Sequence, residues 1–260
     1  MPPSGVCGAG PARATGANHA NLAKVEPFES RPMAVIIFVL FVAVLLVALP
    51  QFWVHNTIER HAGERPDLAG TGGEFARHVL DEMKLYHVKV EVTEQGDHYD
   101  PDARAVRLQQ RFYSGRSVSA VAIAAHEVGH AMQHAIELPM FERRQMLAKR
   151  AHVFGMIAQA FLWSAPLLMI LNRSAAALVL NVVGFGGMAL LSFVLQVTTL
   201  PVEFDASFKR ALPLLEHGKF LKPADLNAAR QLLRAAAFTY VAALIRSVLT
   251  IPGLGRLPRF

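Results

Sequence analysis

The run from Met33 to Leu49, MAVIIFVLFVAVLLVAL, contains no polar side chain, and no other feature restricts the fold of this chain so tightly. Continued through Pro50, Gln51, Phe52, Trp53 and Val54, it reaches the roughly 20 residues that a helix needs to cross the hydrocarbon of a bilayer. Trp53 falls where an interfacial aromatic belongs. A cleavable signal peptide is the competing reading, but no small-x-small site followed by a polar stretch closes the run. Two more apolar stretches, Val153 to Leu171 and Ala175 to Leu200, are separated only by Asn172-Arg173-Ser174, which is long enough for a hairpin turn and nothing else. Gly184, Gly186 and Gly187 in the second stretch suit close helix contact. A fourth stretch, Ala235 to Ile251, is interrupted by Arg246, so it spans, snorkels its Arg or lies in the interface.

Composition agrees with these runs. Hydrophobic residues make up 53% and charged residues 18% of the 260, against roughly 25% charged in soluble proteins, so a soluble enzyme and a disordered chain both fit poorly. The formal net charge of +6 points to nucleic acid or to an anionic membrane surface. Basic residues cluster at the flanks of the apolar runs, as in Arg143, Arg144, Lys149 and Arg150, rather than interleaving with aromatics, which argues against nucleic acid. The lone Cys7 excludes an intrachain disulfide framework.

The chain therefore reads as a mainly α integral membrane protein with about four transmembrane helices and a small α+β polar domain. Residues 1–32, rich in Gly, Ala and Pro, form a disordered extension, and Met33 is the expected start of translation. Residues 33–54 form the first span, 55–152 the main polar domain, and 153–200 a transmembrane hairpin. Residues 201–234 form a second part of the polar domain, 235–251 a transmembrane or interfacial helix, and 252–260 a tail. Within the main polar domain, Thr71 with Glu74 three residues on signals a capped helix with Phe75, Val79, Leu80 and Met83 on its apolar face. Val88 to Thr93 and Ala105 to Leu108 read as strands, and Ser117 opens a helix that Pro139 limits.

That last helix carries His126-Glu127-Val128-Gly129-His130, an H-E-x-x-H motif. Positions i and i+4 share a helix face, so both imidazoles can converge on one zinc ion, with Glu127 beside them to take a proton from water. The bland alternative is a helix with two satisfied histidines. Small neighbours Ala124, Ala125, Gly129 and Ala131 let other backbone approach closely, which favours the metal. Zinc with an open position for water needs one more protein ligand, and His134, Glu203 and Asp205 compete for the place. His134 shares the face but lies about 6 Å beyond His130 along the axis. Two spans, an even number, separate His130 from Glu203 and Asp205, which returns those carboxylates to the same side of the bilayer.

Thr71 to His87, Asp97 to Pro101, Gly115 to Val118, Ala124 to His134 and Leu200 to Ser207 together resemble the YugP-type neutral zinc metallopeptidases, bacterial membrane-bound proteins. The likeness covers roughly Met33 to Ile251 and is similar, more distantly, to the HtpX and CAAX-processing membrane proteases of the gluzincin class. In that class a later helix supplies a Glu ligand in an E-x-x-A-D pattern. The resemblance implies a gluzincin-like domain binding Zn2+ through His126, His130 and Glu203, with Glu127 as general base. Ser207 stands where the class has Asp, which leaves Asp100 or His98 to support the zinc histidines, Asp205 facing elsewhere. His98, Tyr99, Tyr113 and Tyr240 are candidate donors to the reacting oxyanion, and 105–108, as an edge strand, would bind substrate as an added strand.

The function expected is an integral membrane zinc endopeptidase cutting membrane or membrane-proximal proteins and peptides, multi-pass in the bacterial inner membrane. The alternative is a non-catalytic zinc-binding membrane scaffold or a metal transport protein. A transporter would place ionisable residues inside its spans, and here only Arg246 is so placed. Arg60, Arg65, Arg143, Arg144, Lys149, Arg150, Lys209 and Arg210 put the active-site side in the cytoplasm, against Lys24 and Arg31 at the N-terminal flank.

Overall fold

The computed structural model describes residues 30–171, 175–218 and 220–249. Leu40–Phe260 cluster as one compact unit and Met1–Val39 as another, and the site lies wholly in the former. Residues 1–29 of the expected extension 1–32 and the tail 252–260 lie outside the described residues, as does the hairpin turn 172–174, whereas Ser30, Arg31 and Pro32 open the first helix.

Each of the four apolar runs falls on a long helix. They are α1 (Ser30–Arg60), α5 (Pro139–Leu171), α6 (Ala175–Phe204) and α8 (Pro223–Leu249). Between α1 and α5 come α2 (Gly72–Glu82), β1 (Lys89–Thr93), β2 (His98–Asp100), β3 (Ala105–Gln109), a single turn α3 (Gln110–Tyr113) and α4 (Val118–Ala135). A π-helical segment (Asp205–Ala211) and α7 (Leu212–His217) follow α6 without a break. The chain is thus mostly helical, with one small sheet. Among the described residues one helical stretch, Gly186–His217, is long and apolar enough to cross a membrane by length and composition.

Local chemistry sets the ends of the helices around the site. Thr71 caps α2 in a full capping box, its Oγ1 accepting from Glu74 N while Glu74 Oε2 accepts from Thr71 N. Ser117 caps α4, its Oγ accepting from Ala120 N at 3.1 Å; such caps contribute about 1 kcal/mol each. After α4 the chain turns through Glu137, whose φ of 52° is left-handed, and Pro139 then opens α5, where the absent N–H costs nothing.

The sheet corrects one expectation. Its order is β1-β3-β2, with β3 parallel to β1 and antiparallel to β2. The strand at 105–108 is therefore central, and cannot accept a further strand because β1 and β2 occupy both its ladders. The free edge on the side of β2 belongs to three residues, His98–Asp100, too short for any alternation to show in the sequence.

Ala105, Val106 and Leu108 of β3 are buried and pack toward α4. α4 packs against α2, the sheet, α8 and the π-helical segment. The approach of the π-helical segment requires Gly129, since a Cβ there would lie 2.8 Å from the carbonyl oxygen of Ala206. Among the described residues nothing stands within 4 Å of where Cβ atoms of Gly184, Gly186 and Gly187 would be, so the close contact expected of them is not seen there. α5 and α6 pack together.

Candidate metal centre

The metal-ligating candidates come from two elements that the Gly129 contact holds together. α4 presents His126 and His130 one turn apart, with ring centroids 4.8 Å apart. The end of α6 presents Glu203, fully buried, its Oε2 lying 3.2 Å from Nε2 of His126 and 3.2 Å from Nε2 of His130. These three ligand atoms lie within 4.8 Å of one another, so one metal ion can reach all three.

The opposite ring nitrogens are engaged, which aims each Nε2 at the shared point. His130 Nδ1 donates to Gln133 Oε1 at 2.9 Å, and Gln133 Nε2 donates in turn to Val202 O and to Asp205 Oδ2. Asp205 also pairs with Arg210 Nε at 2.7 Å. His126 Nδ1 meets Ser207 Oγ at 3.0 Å. Holding the second nitrogen of a ligating imidazole fixes its tautomer and its orientation. The expectation that Asp100 or His98 does this is corrected. Asp100 pairs with Arg107 at 2.7 Å and caps the following turn, and His98 Nδ1 bonds Gly96 O. Ser207 does the work itself, and Asp205 acts on the other histidine through Gln133. Gln133 escaped the sequence reading, although its place three residues after His130 on the same helix face was a usable signal.

Charge at the centre is sharply partitioned. Burial works to raise the carboxyl of Glu203, but His130 and His126 beside it hold it well below the usual carboxylate range. Burial pushes Glu127 up to about 7, with Asp97 and Glu203 adding to the rise and His126 opposing it. A backbone hydrogen bond from Tyr99 on β2 also opposes it. Asp97, itself raised by burial, accepts from Gln109 N and Nε2.

Two imidazole nitrogens and one carboxylate oxygen make a donor set that suits zinc and leaves a position open. The fit extends to Glu203 Oε1, which is buried and which no donor meets with hydrogen-bond geometry. The family model described as "Putative neutral zinc metallopeptidase" matches residues 35–255. The chain belongs to this family. It is also 38% identical over 215 residues to the "Putative membrane protease YugP" of Bacillus subtilis (strain 168), covering 82% of this chain and 91% of that one. No solved structure matches it significantly.

In this member of the family, His134 is set apart from the metal group. Its Nδ1 bonds Tyr99 Oη at 2.9 Å and its ring stacks on Phe141 at 5.6 Å. That bond occupies the Tyr99 hydroxyl. Tyr113 packs under Gly73. Of the four proposed oxyanion donors only Tyr240 reaches the centre, on the wall of a cavity of about 80 Å³ that also includes His126, Glu127, Asp97 and Arg111. The rest of that wall is mostly apolar, with Val54 and Ile58 from α1 and Leu232, Leu233 and Ala236 from α8.

Proposed function

We propose that this protein is a zinc-dependent endopeptidase of the bacterial inner membrane, acting on membrane or membrane-proximal proteins and peptides. One observation carries the reading: a single carboxylate oxygen of Glu203 stands 3.2 Å from Nε2 of both motif histidines, with the Glu127 carboxylate buried next to them. His126, His130 and Glu203 would hold the metal, which when bound supplies a Lewis acid that acidifies water and polarises a carbonyl. Glu127 takes a proton from the attacking water and returns it to the departing amine. A carboxyl raised by its burial, as this one is, gives and takes protons readily near neutral pH. Substrate would lie extended beside β2, whose Tyr99 backbone already donates to Glu127 and so marks that strand as neighbouring the site.

The four long apolar helices support a multi-pass arrangement with spans at 33–54, 153–171, 175–200 and 235–251 and the metal centre on the cytoplasmic side. Large apolar side chains stand outward on them, among them Phe41, Leu49, Phe52, Trp163, Val183 and Leu190. A phosphatase fused near Ala62 should be inactive in this topology, and activity there would reverse the sidedness.

The deciding experiment compares zinc content and cleavage of casein or a membrane protein between wild type and Glu127→Gln. Cleavage should fall by roughly 100- to 10,000-fold with zinc retained, since this carboxylate moves protons and does not ligate. Undiminished cleavage would remove the mechanism, and lost zinc would make Glu127 a ligand. Zinc binding by a wild-type protein that cleaves nothing would favour the scaffold or transport alternative.

A further inference from the structure

In the sequence Arg144 stands among the charges that flank an apolar run, yet the fold turns it toward Glu203. Phe141, 1% exposed, lies 6.2 Å from the His130 ring and stacks on His134, fixing the first turn of α5 against the metal end of α4. Arg144 follows three residues later on the same face of α5. Its Nη2 lies 3.9 Å from Oε1 of Glu203, too far for a hydrogen bond. Its Nε is buried and has no partner.

Three buried side-chain polar atoms lack a partner among the described residues, and two of them, Arg144 Nε and Glu203 Oε1, belong to this pair. A buried donor on a charged group left unpaired is costly, and such groups in folded proteins call for an explanation. The metal accounts for the carboxylate oxygen. It does not account for the Arg144 Nε–H, which needs an acceptor that no atom of the described residues supplies.

We propose that Arg144 is a catalytic residue whose guanidinium donates to the oxygen of the scissile carbonyl as that oxygen gains negative charge. This assignment rests on the proteolytic reading of the site. When water oxygen bonds the carbonyl carbon, the C=O π pair moves to oxygen, and one water proton goes to Glu127. Arg144 stabilises the resulting anion, the pair returns, and the C–N bond breaks as Glu127 gives its proton to nitrogen. A guanidinium keeps its charge throughout, and a fixed donor facing charge that develops only in the transition state accelerates the step without tightening ground-state binding.

The test uses full-length protein in detergent with a quenched peptide and a phosphinic peptide that mimics the anionic transition state. Measurements are zinc affinity, kcat, KM and inhibitor binding for wild type, Glu127→Gln, Arg144→Ala, Arg144→Lys and Tyr240→Phe. Arg144→Ala should keep its zinc and its KM, lose kcat by roughly 100- to 1,000-fold, and lose phosphinate affinity in parallel. Arg144→Lys should recover part of both, and added guanidinium should rescue Arg144→Ala. The assignment is overturned if zinc affinity in Arg144→Ala falls in step with activity, which would make Arg144 a positioning residue for Glu203. It is also overturned if the losses appear in Tyr240→Phe instead, Tyr240 lying near the same carboxylate. Wild type no more active than Glu127→Gln would instead bring down the proteolytic reading itself.

Discussion

The contact between α4 and the π-helical segment and the pair of long helices α5 and α6 follow opposite rules of burial. Around α4, polar groups are inside: His126, Glu127, His130, Gln133, Glu203, Asp205 and Ser207 are all buried. On the described parts of α5 and α6 away from the site, large apolar groups are outside, with Trp163 77% and Leu190 63% exposed. Burying polar groups costs free energy unless they are paired, and a large apolar surface is unfavourable in water. The first pattern is stable because nearly every buried polar atom has a partner or faces the metal position. The second is stable if the outer surface meets lipid. One region spends its structure on holding a metal ion, and the other on choosing a solvent.

The largest effect should come from removing the carboxylate that joins the two regions. Glu203→Ala should abolish tight zinc binding and activity together, measured by metal content at buffered low free zinc, because two imidazoles alone leave too few protein ligands. Full occupancy in that variant would mean that the ligand set is drawn wrongly. His134→Ala should keep most of the metal, since its partners are Tyr99 and Phe141.

A smaller change should follow one bond further out. Gln133→Leu removes the acceptor for His130 Nδ1–H and the donor to Asp205, with a loss of roughly 10- to 100-fold in zinc affinity or activity. Ser207→Ala should do less, as a hydroxyl gives one weaker support to His126. If Gln133→Leu left zinc affinity untouched, the buried polar network would be packing and no more.

A separate effect falls on the outer surface and distinguishes lipid from water as its solvent. Leu190→Arg should disfavour membrane insertion by about 2.5 to 3.5 kcal/mol if Leu190 faces the centre of a bilayer. In water the same exposed site should change stability by no more than about 0.5 kcal/mol. Insertion efficiency in microsomes and melting in nanodiscs would distinguish the two.

Much of this was written in local sequence. The long apolar runs, the capped starts of α2 and α4 and the one-turn spacing of His126 and His130 depend on neighbours along the chain, and backbone geometry carries them directly into structure. The candidacy of Glu203 was legible as well, through topology and family resemblance. What only the tertiary structure decided were the relations between residues far apart. Ser207 lies under His126, Gln133 links His130 to Asp205, Arg144 faces Glu203, and β3 lies at the centre of its sheet. These depend on how closely two backbones approach, and Gly129 against Ala206 sets that approach for the metal centre. Helical periodicity gives a residue its face on its own helix, but the neighbour that face meets is chosen by packing across the whole fold.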